Sequence, residues 1–322
     1  MHDNLDKIAK YLVNPPKGIL AADESATTCC KRFEAVNLPC EEEDRRKYRE
    51  LLIATKNIEN YLTGIIMVEE TLIQKDSNGK LFTEVLKEKG ILAGIKVDLG
   101  LEDFGANGEQ ITKGLDGLGE RLAQYKSIGA SFAKWRAVFS PEQGLPTDEL
   151  INEANSRMIK YALLCQKNEI VPIMEPEVLM DGSHTEENTK NTIARVLENL
   201  FEQIKNSDLY LPGIILKTAM VESNKDDTSS TTAEEVAKWT VEVLRKNVPE
   251  NIGGVVFLSG GQSSDEAIKN FNKIMEEGSD LPFKMTFSYS RAIQNSVLEE
   301  YAKGNIEIAK ENYIDRLQKL SK

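Results

Sequence analysis

Eight short apolar segments recur along this chain, at 18–22, 64–68, 93–97, 131–136, 170–175, 213–217, 254–259 and 284–288. Their starts lie about 30 to 46 residues apart, the length of a strand, a helix and two loops. Each is a near-continuous run of Val, Ile, Leu, Phe or Met, as in parallel strands covered on both faces. Amphipathic stretches fill the gaps. The one at 147–168 follows Pro146, opens with acids, and places Leu150, Ile151, Ala154, Met158, Tyr161, Ala162 and Cys165 on one face. Thr232 with Glu235, and Ser263 with Glu266, read as capping boxes before two more helices. Eight such units in one α/β chain predict a (β/α)8 TIM barrel over 1–322 as a single domain, finished by one or two amphipathic helices at 291–322. A doubly wound open sheet uses the same alphabet. The polar stretch 221–232 has the length of a βα loop.

Composition narrows the function. The chain has 322 residues and a net charge of −12, which argues against nucleic acid as a partner. A small anionic substrate is compatible with it, because local Lys and Arg can outweigh a remote acidic surface. No apolar run reaches the roughly 20 residues of a membrane span, and the N-terminus lacks a signal-peptide core. The expected location is therefore the cytoplasm, with no membrane partner. The only histidines are His2 and His184, too few for a three-histidine metal site. The four cysteines include no CxxC. In this compartment and at this size, disulfides are not expected.

Charge collects at the ends of the strands. Lys96 and Asp98, Lys134 and Arg136, and Glu175 and Glu177 are each two residues apart. Period two puts both members of a pair on one strand face. Ile95, Val97, Ala133, Trp135, Pro172 and Met174 suit the face toward the helices, so the charged pairs point into the lumen at its C-terminal end, where barrel sites lie. Lys217, in "GIILKTAM", joins them at the same level. Asp23 ends the first segment, Ser259 the seventh and Ser288 the eighth, with Arg291 just beyond. Taken singly, each pair reads as a rim salt bridge, and Lys217 as a lysine whose stem is buried and whose head reaches water. Together they suggest chemistry. A lysine beside another cation loses its proton more readily, and the neutral amine can add to a ketone and form an iminium ion. A nearby carboxylate then moves protons. This is Schiff-base aldol chemistry and requires no metal or other cofactor.

Two anion clusters accompany the charges. Ser259, Gly260 and Gly261 sit between a strand and a capped helix, beside Ser288 and Arg291. The first loop offers Ser25, Thr28, Lys31 and Arg32. Barrels often hold phosphate after their last two strands. Two clusters on one mouth suggest a substrate phosphorylated at both ends.

The segments "GILAADES", "RELLIAT", "GIKVD", "QYKSIGASFAKWR", "NEIVPIMEPE", "GIILK", "FLSGGQS" and "FSYSRA" resemble, in order and from about residue 18 to 291, the class I fructose-bisphosphate aldolases. The resemblance implies a (β/α)8 barrel, a homotetramer, and reversible cleavage of fructose 1,6-bisphosphate to dihydroxyacetone phosphate and glyceraldehyde 3-phosphate. It implies that Lys217 is the Schiff-base lysine and Glu175 the proton acceptor and donor. Asp23, Lys134 and Glu177 would support proton transfer and hold the charge. Ser259, Gly260, Gly261, Ser288 and Arg291 would bind the ketone-side phosphate. Ser25, Thr28, Arg32 and Lys96, with Lys31 and Arg136, would contact the rest of the bisphosphate. The sequence departs from the family pattern at Thr218 after the lysine, where proline is frequent, at Ser290 in place of glycine, at Thr28 in place of serine, and in a C-terminus without the tyrosine-ended tail of vertebrate members. Fructose 1-phosphate and sedoheptulose 1,7-bisphosphate remain open as preferred sugars, and so does a further protein-binding role.

Overall fold

The computed structural model describes residues 2–224 and 231–322. An N-terminal helix, α1 (His2–Leu12), precedes β1 (Gly18–Ala22), α2 (Ala26–Glu34) and α3 (Glu42–Ala54). Then follow β2 (Leu62–Met67), α4 (Glu69–Ile73), α5 (Phe82–Glu88) and β3 (Leu92–Lys96). A hairpin of β4 (Leu101–Phe104) and β5 (Glu109–Thr112) comes before α6 (Leu118–Ile128), β6 (Ala130–Phe139), α7 (Asp148–Lys167) and β7 (Val171–Val178). The chain continues through α8 (Glu186–Lys205), β8 (Ile215–Thr218), α9 (Ala233–Asn247), β9 (Gly254–Phe257), α10 (Ser264–Glu277), β10 (Met285–Tyr289), α11 (Arg291–Ala302) and α12 (Ile306–Leu320).

Strands β1, β2, β3, β6, β7, β8, β9 and β10 close a parallel barrel in chain order. The expected (β/α)8 architecture is therefore present, and the open-sheet alternative is not. Each of the eight expected segments overlaps one barrel strand, with ends shifted by a few residues. The fourth and fifth run three residues longer, to Phe139 and Val178, and the sixth starts two residues late, at Ile215, because Leu211–Gly213 forms a 3-10 turn. Thr147, Thr232 and Ser263 cap α7, α9 and α10 through their hydroxyls, and the last two form the expected boxes. The stretch 291–322 holds two helices. Part of the expected loop at 221–232 lies outside the described residues.

The lumen is sorted by height. Ile19, Ala21, Ile66, Phe132, Val171, Ile173, Ile215 and Val256 fill its lower part, and Leu5, Ala9, Leu12 and Val13 of α1 and its end seal the base. Two residues further along the same strands the inward face turns polar: Phe132 gives way to Lys134, Ile173 to Glu175 and Ile215 to Lys217. Phe132 fits the lumen because residue 94 has no side chain; a Cβ there would lie 2.2 Å from its ring. The larger apolar cluster lies outside the strands, under the helices, and includes Trp135 and Tyr161.

Two features depart from the sequence expectations. The hairpin β4–β5 is not among the expected elements, because its strands alternate only weakly and are four residues each. Its turn, "GANG", does carry the signal, since Gly105 and Gly108 both adopt positive φ. The second is a disulfide between Cys30 and Cys40, where none is expected from the sequence. Compartment bears on the chemistry of cysteine, whereas this bridge depends on α2 and α3 bringing the two Cα atoms to 5.3 Å.

Candidate active site

A cavity of about 840 Å³ opens at the C-terminal ends of the strands. Its floor is a chain of alternating charges. Lys134 Nζ lies 2.7 Å from Asp23 Oδ2 and 3.0 Å from Glu175 Oε2. Lys217 Nζ lies 2.9 Å from Glu175 Oε1. Lys134, Glu175 and Lys217 are each no more than 4% exposed. Parallel register creates this proximity. Lys96 is level with Lys134, and Arg136 with Glu175.

From the sequence, Lys217 is expected among cations. The structure corrects that point: among the described residues the charged group paired with Lys217 is the Glu175 carboxylate, which stands between Lys217 and Lys134. Burial opposes ionisation of Asp23, but Lys134 and Lys217 outweigh it and hold the carboxyl at about 2. Burial also opposes ionisation of Glu175, and the same two lysines lower it below the usual carboxylate range. Burial would neutralise Lys134, yet Asp23 and Glu175 keep it firmly protonated. The floor thus combines two carboxylates held below their ordinary range and the ammonium of Lys134 with the buried Lys217 side chain, whose Nζ faces a carboxylate oxygen at hydrogen-bond distance.

The rim is built by the loops. Lys96 pairs with Asp98 Oδ1 at 2.5 Å and donates to the Asp98 carbonyl at 2.8 Å. Arg136 pairs with Glu177. On one side, Ser259 and Gly260 line the cavity with Ser288, Ser290 and Arg291. Gly260 and Gly261 adopt positive φ, of +58° and +111°, so the turn needs glycine at both. The Ser288 hydroxyl is buried without a hydrogen-bond partner, and Arg291 has no ion-pair partner among the described residues. An open hydroxyl and an open guanidinium beside a glycine turn are suited to an oxyanion. On the other side, Ser25 and Thr28 line the cavity, with Ser25 capping α2 through the Thr28 N–H.

Arg32 does not fit its expected place. It pairs with Glu24 rather than lining the cavity, and Arg49 Nη2 donates to the same carboxylate at 2.8 Å. The Arg32 guanidinium is thus engaged by Glu24 and lies off the cavity wall. Lys31 is exposed on α2 and also lies off the cavity wall, as does Gly261.

The structure adds residues that the sequence alone does not single out. Glu24 accepts from Ser290 Oγ at 2.9 Å and from Gln294 Nε2 at 3.1 Å, so it joins the two sides of the mouth. Its position beside Asp23 is visible in the sequence, but its pairing with Arg32 and Arg49, 8 and 25 residues further on, depends on how α2 and α3 pack. Leu99, Gly100, Leu101 and Gln110 bring the hairpin to the cavity wall, and Glu69 and Glu70 bring α4.

Comparison with known proteins identifies the family. Residues 4–322 match the family model for fructose-bisphosphate aldolase class-I. The chain is 45% identical over 312 residues to the cytosolic fructose-bisphosphate aldolase 4 of Arabidopsis thaliana, covering 97% of this chain and 78% of that one. It is 45% identical over 320 residues to the fructose-bisphosphate aldolase of Dictyostelium discoideum, covering 98% and 89%. A solved fructose-bisphosphate aldolase from Plasmodium falciparum, in complex with TRAP and a small-molecule inhibitor, superposes with a TM-score of 0.96 at 42% identity, covering 99% of this chain and 93% of that one. Coverage of 97–99% of this chain and the closed barrel point the same way: the chain belongs to the class-I fructose-bisphosphate aldolase family, whose lyase chemistry is metal-independent.

Proposed function

We propose that this class-I aldolase cleaves fructose 1,6-bisphosphate reversibly through an imine formed on Lys217. The observation that carries the reading is the 2.9 Å contact between Lys217 Nζ and Glu175 Oε1 inside the barrel mouth. In the cleavage direction, the neutral Lys217 amine adds to the C2 ketone, and loss of water gives an iminium ion. Glu175 donates and accepts the protons of that dehydration and takes the proton of the C4 hydroxyl. The C3–C4 bond then breaks, its electron pair moves toward the iminium nitrogen, and the aldehyde leaves. Protonation of the enamine at C3 and hydrolysis release the ketone and restore Lys217. Asp23, Lys134 and Glu177 hold the site's charge and support proton movement.

Ser259, Gly260, Gly261, Ser288 and Arg291 would take the ketone-side phosphate, on the strength of the open Ser288 and Arg291 groups. Ser25, Thr28, Lys96 and Arg136 would contact the other end, and Arg32 would act indirectly by holding Glu24. The whole chain, 1–322, would work as one domain, in the cytoplasm and as a homotetramer, which sedimentation and cell fractionation test. No helix among the described residues is long and apolar enough to cross a membrane. Borohydride trapping with dihydroxyacetone phosphate tests the mechanism. Label on the Lys217 peptide, absent in Lys217→Ala, with activity intact in EDTA, is the expected result. Label at another lysine, or inactivation by the chelator, overturns it.

A further inference from the structure

The Cys30–Cys40 bridge is anchored in α2, two residues past Thr28, which lines the active-site cavity. Both of its cysteines are partly exposed, whereas Cys29 and Cys165 are free thiols in the interior. The bridge joins α2 to the segment entering α3, closing a loop with a sequence separation of 10. Arg45, in the first turns of α3, packs its guanidinium against both sulfurs, with Nη1 3.8 Å from each. The same nitrogen donates to the Cys40 carbonyl at 2.9 Å.

Both arms of this cluster reach the cavity. Arg45 donates to Glu70 from Nε at 2.9 Å and from Nη2 at 2.6 Å, and Glu70 lines the cavity wall. Cys30 lies in α2, whose cap is Ser25 and whose first turn carries Thr28, and both of those line the cavity as well. A guanidinium beside a sulfur stabilises the thiolate, the form that exchanges with disulfides. Burial, by contrast, pushes the Cys29 and Cys165 thiols up, which leaves them poor competitors.

We propose that Cys30 and Cys40 form a redox modification site, a reversible disulfide whose closure fixes α2 and with it the subsite formed by Ser25 and Thr28. The oxidant is a small-molecule or protein disulfide. One cysteine thiolate attacks it, forming a mixed disulfide and expelling one thiolate. The second cysteine thiolate then attacks the protein sulfur and expels the other. The two cysteines lose two electrons, the oxidant gains them, and the two cysteine protons end on the two released thiols. Reduction runs the same steps backward. Closing the bridge restricts 30–40, a segment otherwise held to the barrel by Phe33, Val36 and Leu38 against the core, by Arg32 on Glu24, and by the Arg45–Glu70 clamp. The effect on α2 is expected to show in the handling of the phosphate at that end. That second consequence rests on the bisphosphate reading of the mouth; the existence of the redox site does not.

The test equilibrates the full chain in buffers of graded reduced to oxidised glutathione, quenches in acid, alkylates, and maps cysteines by mass spectrometry. Cys30 and Cys40 are expected to convert as a pair while Cys29 and Cys165 remain alkylated. Amide hydrogen exchange over 26–40 should be about tenfold faster or more in the reduced protein. KM for the sugar bisphosphate should rise severalfold on reduction, with kcat within about twofold and with KM for a ketose 1-phosphate unchanged. Cys30→Ser with Cys40→Ser should behave as the reduced form in every buffer. Full alkylation of Cys30 and Cys40 at all ratios overturns the proposal. So do identical exchange in both states and a redox response that survives in the double variant. Absence of sugar cleavage in either state would instead count against the aldolase reading, while mapping and exchange would still decide the redox site.

Discussion

Glu175 bridges two lysines from different strands, with one oxygen 2.9 Å from Lys217 Nζ and the other 3.0 Å from Lys134 Nζ. The two lysines therefore share one carboxylate while making different further contacts: Lys134 has Asp23 as a second partner, at 2.7 Å. Lys134 is thus held by two carboxylates and Lys217 by one among the described residues.

Lys217→Ala is expected to lower kcat by at least about 10³-fold, since the nucleophile is gone. Glu175 keeps Lys134 as its partner, so the fold should persist. Steady-state kinetics beside a thermal melt checks both statements.

Asp23 is held at about 2 in the fold, below its unfolded value, against burial and by Lys134 and Lys217. Its contribution to stability is thus complete above the ordinary carboxylate range and is lost as pH falls from there toward 2. It amounts to about 2–3 kcal/mol. In Asp23→Asn, urea unfolding across pH 2 to 6 should lose that part of the acid slope. An unchanged slope would refute the assignment.

Glu24 holds Arg32 and the buried Arg49. Glu24→Gln leaves two guanidiniums uncompensated and should cost about 3–5 kcal/mol by denaturant unfolding. The variant should also weaken substrate binding on both sides of the mouth, because the Ser290 hydrogen bond to Glu24 is altered.

Glu222 is buried just past the end of β8, with Asn270 Nδ2 donating to it at 2.5 Å and its second oxygen unpartnered. Burial pushes its carboxyl up to about 8. Its neutral form favours the fold, so stability is full below the ordinary carboxylate range and declines as pH rises to about 8. Glu222→Gln keeps the acceptor for Asn270 and should hold its Tm between about pH 5 and pH 9 better than the unsubstituted protein does. The difference above about pH 8 should be a few kcal/mol at most, since each tenfold change in proton affinity is worth about 1.4 kcal/mol. A parallel fall in both proteins would argue against it.

Gly94→Ala places a Cβ 2.2 Å from the Phe132 ring inside the lumen. Overpacking of this kind costs about 1–3 kcal/mol or more. Pairing it with Phe132→Leu should recover part of the loss in thermal melts.

Periodicity carried the barrel. Eight apolar runs at strand length, with helices capped by Thr147, Thr232 and Ser263, are local properties, because propensity, capping and alternation act over a few residues. Alternation also aimed Lys96, Lys134, Glu175 and Lys217 into one lumen, and the structure brings them together. What the sequence could not supply was the order of contacts inside that lumen. Which carboxylate lies between which lysines depends on strand register around a closed barrel, and register pairs residues about 40 apart. Arg32 was expected at the phosphate, whereas the direction in which α2 leaves the first strand pairs it with Glu24. The Cys30–Cys40 bridge likewise depends on how two helices pack, and cysteine spacing does not encode that geometry. The chemistry of each strand end was thus written locally, while closure of the barrel decided which of those ends meet.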